Sequence, residues 1–206
     1  MKKFLTAFSL VLFFAKSAFA TGVFVGADAI FADSNHVVKN LSSDALTQNK
    51  DKQGDNSVNF GVNAGLRFDL LNFMASGEVF YDNLQTKAKN FRLASGSGND
   101  LGNTKINSRY GAKVNFGSAI FPRVTTFLTY GLTNVNYDSK EISSNQSLSK
   151  DKMTSLYGVG VMVDLPLNLS LKATYDYQRF TMKYASSDAK IRTYINTFKL
   201  GVVYNF

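Results

Sequence analysis

The chain has 206 residues, of which 45% are hydrophobic and 18% charged, with a formal net charge of +8 and a mean hydropathy of −0.10. This length suits a single domain, and the near-neutral hydropathy with a high apolar content excludes a helical membrane protein and a disordered chain. The absence of cysteine excludes disulfides and thiolate metal sites. Two prolines, 15 glycines, 18 phenylalanines and 10 tyrosines favour strands over helices.

Residues 1–20 differ in character from the rest of the chain. Two lysines follow the first methionine, an apolar run covers 4–14, and small residues close the segment at Ala18 and Ala20. This order is typical of a secretory signal with an A-x-A cleavage site. The apolar run is also shorter than the roughly 20 residues that a membrane-spanning helix needs. We therefore predict a removable signal peptide at 1–20 and one mature domain at 21–206.

The basic character of the chain is weaker after removal of this segment. The signal holds three of the 23 basic residues and none of the 15 acidic ones, which leaves a net charge of +5. Nucleic-acid binding requires basic residues gathered on one face, whereas these are spread among the predicted strands and loops of an exported chain. We expect no nucleic-acid partner.

Alternation of apolar and polar residues with period two recurs along the mature chain, and no stretch carries a helical apolar stripe. In 57–69, for example, Val58, Phe60 and Val62 lie on one face of a strand and Asn59 lies on the other. Eight such segments are predicted to be strands: 22–33, 57–69, 72–83, 104–116, 123–137, 153–165, 169–180 and 192–206.

The connections alternate in length. The long polar connections are 34–56, 84–103, 138–152 and 181–191, and the short ones lie near 70–71, 117–122 and 166–168. Long and short connections therefore segregate to opposite rims of an antiparallel meander. The fold class predicted is all-β, an eight-stranded antiparallel up-and-down barrel with four long loops and three short turns.

Alternation alone fits both a soluble barrel with an apolar interior and a membrane barrel with an apolar exterior. Charges of both signs on the polar face, aromatic residues near the ends of the apolar face and long strands favour a transmembrane barrel. The charges expected to pair in the lumen are Asp28, Arg67, Glu78, Lys105, Arg109, Lys113, Lys172, Asp176 and Lys199. The aromatic residues expected at the interfaces are Phe31, Phe68, Phe73, Tyr81, Phe116, Tyr177 and Phe198. Ile106 is expected on the lipid face.

The mature chain, 21–206, resembles the eight-stranded outer-membrane barrels of Gram-negative bacteria, the family of the OmpA transmembrane domain, OmpX and the opacity-type surface antigens. The resemblance lies in the signal, the eight alternating strands, the four long loops, the three short turns and the terminal aromatic residue. It implies export through the periplasm, long loops outside the cell, short turns in the periplasm and contact with outer-membrane lipid. It also implies that the barrel-insertion machinery recognises the last strand. The residues that match this insertion signal are Phe198, Leu200, Val202, Tyr204 and Phe206.

Family analogy predicts a protein that is structural for the envelope and acts through its loops as a surface antigen or adhesin, in contact with host-cell surface molecules. A porin-like channel for small solutes through the charged lumen is the first alternative. The second is a lipid-modifying enzyme, because the single histidine, His36, falls at the outer rim near Ser34, Ser42 and Asp44. No family motif accompanies this set, so we expect no catalytic activity, no metal site and no cofactor.

Overall fold

A computed structural model describes residues 22–39, 57–95, 98–141, 147–183 and 190–206, with side chains for all but the long-loop ends of the strands. The predicted signal peptide, Ser42 and Asp44 lie outside these residues. The described chain forms eight strands: β1 (Gly22–Lys39), β2 (Ser57–Leu70), β3 (Phe73–Ser95), β4 (Gly98–Phe121), β5 (Val124–Glu141), β6 (Ser147–Asp164), β7 (Leu169–Lys183) and β8 (Lys190–Asn205).

Each strand pairs antiparallel with the next, and β8 pairs with β1 to close the barrel. The closing register runs from Phe24 opposite Asn205 to Lys39 opposite Lys190. The predicted eight-stranded, up-and-down barrel is confirmed. Among the described residues there is no helix with the length and apolar character needed to cross a membrane.

The apolar residues of the alternating strands point outward. On β2, Val58, Phe60 and Val62 are exposed, whereas Asn63 is buried. The same arrangement holds around the barrel, with buried polar or charged side chains on β1, β3, β4, β5, β7 and β8. This is the reverse of a soluble barrel and is the arrangement expected when hydrocarbon surrounds the wall.

The three short turns join strands at one rim through left-handed backbone. Positive φ angles occur at Leu71 (55°), Arg123 (69°), Leu167 (66°) and Asn168 (60°). A hydrogen bond also joins the third turn to the end of β8, since the Asn205 N–H donates to the Asn168 carbonyl at 2.8 Å. The prediction of three short turns is confirmed, although the second occupies only 122–123 because β4 continues to Phe121.

The strands are longer at the opposite rim than the sequence predicts. The predicted loop 84–103 is mostly strand, since β3 runs to Ser95 and β4 begins at Gly98. Parts of the other predicted loops are strand as well. Beyond the bilayer neither face has to be apolar, so the alternation of side chains disappears while backbone pairing continues.

A register shift corrects two predicted side-chain positions. The β4–β5 register is irregular between Ile106 and Ser108, and the β3–β4 register shifts between Asn83 and Thr86. A bulge of this kind exchanges the two faces of a strand. Ile106 is therefore only 1% exposed and lies inside the barrel. Lys105 is its neighbour on the opposite face, pairs with the exposed Lys87 and lies outside. The expectations of Ile106 on the lipid face and Lys105 in the lumen are wrong.

Toward the long-loop rim the barrel wall divides into two sheets. Pairing between β6 and β7 ends at Leu156 and Gln178, and pairing between β2 and β3 ends at Phe60 and Asn83. Beyond these points, within the described residues, β7, β8 and β1 continue as one sheet, and β3 to β6 continue as another. Two separate sheets therefore project beyond the closed part of the barrel.

Two outward residues with almost equal exposure test the position of the lipid. Leu128 (66% exposed) lies in the middle of the outward row from Val124 to Leu132, and Met153 (67%) lies beyond Tyr157 toward the long loops. Leu128→Arg should lower the free energy of unfolding by roughly 2–4 kcal/mol, and Met153→Arg by about 0–1 kcal/mol. Urea unfolding in lipid vesicles measures both, and equal losses would contradict this placement of the lipid.

Candidate functional site

The interior at the short-turn end is closed by an ion pair that crosses the barrel. The Arg67 guanidinium on β2 donates to both carboxylate oxygens of Asp164 on β6, at 2.8 and 2.9 Å. Asp69 accepts a further hydrogen bond from Arg67 Nε at 3.1 Å, and Ser170 donates to Asp164 at 2.7 Å. Because β2 and β6 are four strands apart in a ring of eight, this bidentate ion pair spans the lumen.

The middle of the lumen is occupied by an ionic cluster centred on Asp82 of β3. Asp82 accepts hydrogen bonds from Arg109 Nε of β4 at 2.7 Å and from Lys199 Nζ of β8 at 2.7 Å. Both cations also approach Asp176 of β7, at 3.4 and 3.7 Å. Arg109 donates in addition to Thr197 at 2.8 Å. Side chains from four strands are thus tied together inside the barrel.

A second group of ions surrounds Glu78 on β3. Its carboxylate lies 2.8 Å from Lys113 Nζ and 3.3 Å from Lys172 Nζ. Asn115 donates to the same carboxylate at 3.2 Å. The Phe80 ring lies between the two ionic groups, with Lys113 Nζ 5.2 Å from its centroid, so the cations also contact an aromatic face.

Asp28 on β1 balances the charge of the interior. Its carboxylate accepts a hydrogen bond from Asn63 at 2.8 Å, and it faces Gly201, where a Cβ would collide with Asp28 Oδ1. Glycine at 201 is therefore needed to admit the carboxylate. The body of the lumen then holds four buried carboxylates and four buried cations: Asp28, Glu78, Asp82 and Asp176, with Arg109, Lys113, Lys172 and Lys199. Equal numbers of opposite charges let a buried cluster form without a counterion.

Seven of these eight residues are among the charges that the sequence predicts in the lumen, and the exception is Asp82. The period-two pattern places Asp82 with Glu78 on the polar face of β3, but Asp82 was not among the predicted lumen charges. Its central position depends on cross-barrel distances that a one-dimensional pattern lacks. Within the described part of the chain, no group of three histidine, cysteine, aspartate or glutamate residues is placed to hold a metal ion.

The histidine of the proposed enzyme site lies in a strand and not in a loop. His36 pairs with Thr193 in the β1–β8 register, and Ser34 is buried. Ser42 and Asp44, the other members of the set, lie outside the described residues. The enzyme alternative gains no support from this geometry and stays a prediction.

Above the ionic cluster, an apolar cluster packs between the two projecting sheets. The first sheet and the second contribute four members each: Ile30, Ala32, Phe180 and Ile195, with Leu84, Ile106, Val135 and Tyr137. The rings of Tyr137 and Phe180 are 6.2 Å apart and join the two sheets directly. The lumen is therefore filled by side chains at this end as well.

Outward tyrosines mark the level at which the apolar wall ends toward the long loops. Tyr81 lies opposite Tyr110 in the register, and Tyr157 lies opposite both Tyr130 and Tyr177. The rings of Tyr130 and Tyr157 are 5.4 Å apart. Such a belt is typical of the membrane–water interface.

The predicted insertion signal forms the outward row of β8. Its five residues, at least 41% exposed, are Phe198, Leu200, Val202, Tyr204 and Phe206. The Phe206 N–H donates to the Val23 carbonyl at 2.8 Å, and the Phe206 ring packs edge-on against Tyr204 at 5.0 Å. The row completes the apolar wall beside the β1–β8 seam.

Asp82→Ala tests the ionic cluster. It leaves Arg109 and Lys199 without their shortest carboxylate contact in a buried site, so the free energy of unfolding should fall by about 3–5 kcal/mol. Asp151→Ala is the control, because Asp151 is exposed and accepts one hydrogen bond from Asn136, and it should cost less than about 0.5 kcal/mol. Heat-dependent gel mobility in urea reports both losses, and a loss at Asp82 no larger than that at Asp151 would contradict the cluster's role.

Comparison with known proteins gives the same architecture. The model of the outer membrane protein beta-barrel domain family matches residues 6–206. No curated protein sequence matches the chain.

Three solved structures illustrate the likeness. Ail, the attachment invasion locus protein of Yersinia pestis, is 19% identical, with 90% of this chain and 99% of that chain covered and a TM-score of 0.50. Neisserial surface protein A is 16% identical, with coverages of 91% and 99% and a TM-score of 0.50. OprG from Pseudomonas aeruginosa is 10% identical, with coverages of 91% and 97% and a TM-score of 0.53. With a family match over almost the whole chain and an apolar outer wall, the protein belongs to the outer membrane protein beta-barrel family and lies in the bacterial outer membrane.

Proposed function

We propose that the protein is an adhesin or surface antigen in which the barrel is a structural anchor and the long-loop end binds anionic molecules of a host-cell surface. The observation that carries this proposal is the separation of charge between the barrel body and the long-loop end. The proposal concerns the strands and loops beyond the tyrosine belt and assigns no transport to the lumen.

The body of the barrel is electrically neutral. It contains six basic and six acidic residues: Arg67, Arg109, Lys113, Arg123, Lys172 and Lys199, with Asp28, Asp69, Glu78, Asp82, Asp164 and Asp176. The net charge of +5 on the mature chain therefore belongs entirely to the long-loop segments, which are 33–57, 84–108, 134–154 and 179–194. A positive rim on a neutral anchor attracts polyanions.

The β3–β4 hairpin is one of the two most basic of these segments. Between residues 84 and 108 it carries four basic residues and one acidic residue: Lys87, Lys89, Arg92, Lys105 and Asp100. Lys87 lies directly opposite Lys105 in the register of β3 and β4, and Lys105 also lies opposite Asp138 of β5. Beyond Tyr81 the hairpin extends for about 45 Å along the strand at roughly 3.3 Å per residue, well clear of the bilayer. The hairpin therefore presents basic residues well outside the membrane, where a partner can reach them.

A protein of the same fold supports an anionic partner. Ail of Yersinia pestis has been solved in complex with the heparin analogue sucrose octasulfate. The sequence identity of 19% transfers the fold and not the ligand. The basic hairpin of this chain supplies the independent reason to choose sulfated glycans as the class of host molecule.

The filled interior favours an anchor over the channel alternative. Paired ions occupy the body of the lumen and an apolar cluster fills the long-loop end. An eight-stranded barrel is just wide enough for side chains to fill. Recognition of the outward row of β8 by the insertion machinery stays a prediction from the family resemblance.

Lys87→Gln combined with Lys105→Gln should weaken binding to immobilised heparin by about tenfold, because two cations are lost from the basic hairpin. The control is Arg123→Gln, which removes an exposed cation at the short-turn rim and should leave binding unchanged. Retention of detergent-solubilised protein at increasing salt measures the effect. Wild-type protein that fails to bind heparin, or a hairpin variant that binds as tightly as the control, would contradict the proposal.

A further inference from the structure

Two arginines and two tyrosines form a patch on the outer wall of β7 and β8, which we call the wall patch: Tyr177, Arg179, Arg192 and Tyr194. Arg179 lies opposite Tyr194 in the register, and its guanidinium carbon is 5.8 Å from the centroid of the Tyr194 ring. The rings of Tyr177 and Tyr194 are 6.4 Å apart. Stacking on the tyrosine holds the Arg179 guanidinium against the wall.

The wall patch faces away from the lumen. Arg179 alternates with the buried Gln178 and Phe180, and Arg192 precedes the buried Thr193. The carboxylates of the ionic clusters therefore lie on the other side of the sheet. The nearest acidic residue on the outer face of β1 is Asp33, which lies opposite Asn196. Within the described part of the chain, no salt bridge joins Arg179 or Arg192 to a carboxylate.

The depth of the wall patch follows from the length of the apolar rows below it. On β7 the outward row is apolar from Leu169 to Tyr177, and on β8 it is apolar from Phe198 to Phe206. Each row covers about nine residues, which is the length that a tilted strand needs to cross the hydrocarbon. Arg179 and Arg192 therefore lie at the level of the lipid headgroups on the long-loop side.

We propose that the wall patch binds the phosphate group of an anionic lipid in the outer leaflet. A guanidinium on the lipid face is tolerated only near the interface, where its charge reaches polar headgroups. The forked donors of two arginines on neighbouring strands match a phosphate, and the apolar rows beneath them offer a surface for the acyl chains of the same molecule. A lipid can bind both the two guanidinium groups and the apolar rows, whereas free phosphate can bind only the guanidinium groups.

The site differs from the proposed glycan-binding hairpin in residues and in position. The wall patch is on β7 and β8 at the belt, and the basic hairpin is on β3 and β4 beyond the belt. The two proposals therefore fail independently. Variants of the wall patch should retain heparin binding, and variants of the hairpin should retain lipid binding.

The test uses the full chain in phosphatidylcholine nanodiscs with and without diphosphorylated lipid A, and counts bound lipid A by native mass spectrometry. Arg179→Gln combined with Arg192→Gln should weaken lipid A retention about tenfold. Lys150→Gln combined with Lys152→Gln is the matched control, with the same charge change at exposed positions of β6, and should leave retention unchanged. Millimolar inorganic phosphate should not displace the lipid from wild-type protein.

Equal retention by the wall-patch variant and the control would overturn the proposal, and so would displacement of lipid A by phosphate alone. Heat-dependent gel mobility checks that each variant is folded. Arg179→Lys combined with Arg192→Lys keeps the positive charges but removes the planar guanidinium groups with their paired N–H donors. This variant provides the test if the glutamine variant fails to fold. It should retain less lipid A than wild type, and unchanged retention would refute binding through the forked guanidinium groups.

Discussion

Hydrogen bonding of the backbone in hydrocarbon is the constraint on which this structure depends. No water reaches the middle of the membrane, so the edges of β1 and β8 must pair and the sheet must close. Closure of eight strands leaves an interior too narrow for a wide aqueous lumen, and the outer face must be apolar. The polar half of each strand is thereby confined to the interior. Asp82, Arg109 and Lys199 show the result, since each of these three buried charges has an opposite charge at short range.

The pattern in the sequence was most informative where lipid imposes it. Within the bilayer each strand must alternate apolar and polar side chains, and the outward rows on β2 and β8 were predicted residue by residue. Beyond the bilayer this requirement ends, and the outer halves of β3 and β4 were predicted to be a loop although their backbones pair. The bulge beside Ile106 could not be predicted from the sequence either. One extra residue moves the following side chains to the other face of the strand without changing its composition. The partners of Asp82 depend on distances across the barrel, which periodicity does not contain.

The division between a neutral body and a basic exterior links the fold to its proposed roles. The body uses most of its charge for internal ion pairs. The long-loop segments carry the whole net charge of residues 21–206. Their strands form two sheets that an apolar cluster holds together through the contact between Tyr137 and Phe180. This packing gives the exposed strands a fixed base beyond the membrane. One anchor then presents two basic surfaces, with the β3–β4 hairpin directed at molecules outside the cell and the wall patch directed at the membrane around it.

The central claim is that paired side chains fill the interior of the barrel. Single-channel recording of the purified wild-type protein in planar bilayers tests this claim most directly, because an open lumen conducts ions and a filled one does not. The account predicts that inserted barrels, verified by their resistance to SDS before boiling, give no stable conductance steps at moderate voltage. Stable, ohmic steps from the wild-type protein would contradict it, and would show that the ionic cluster around Asp82 lines a pore.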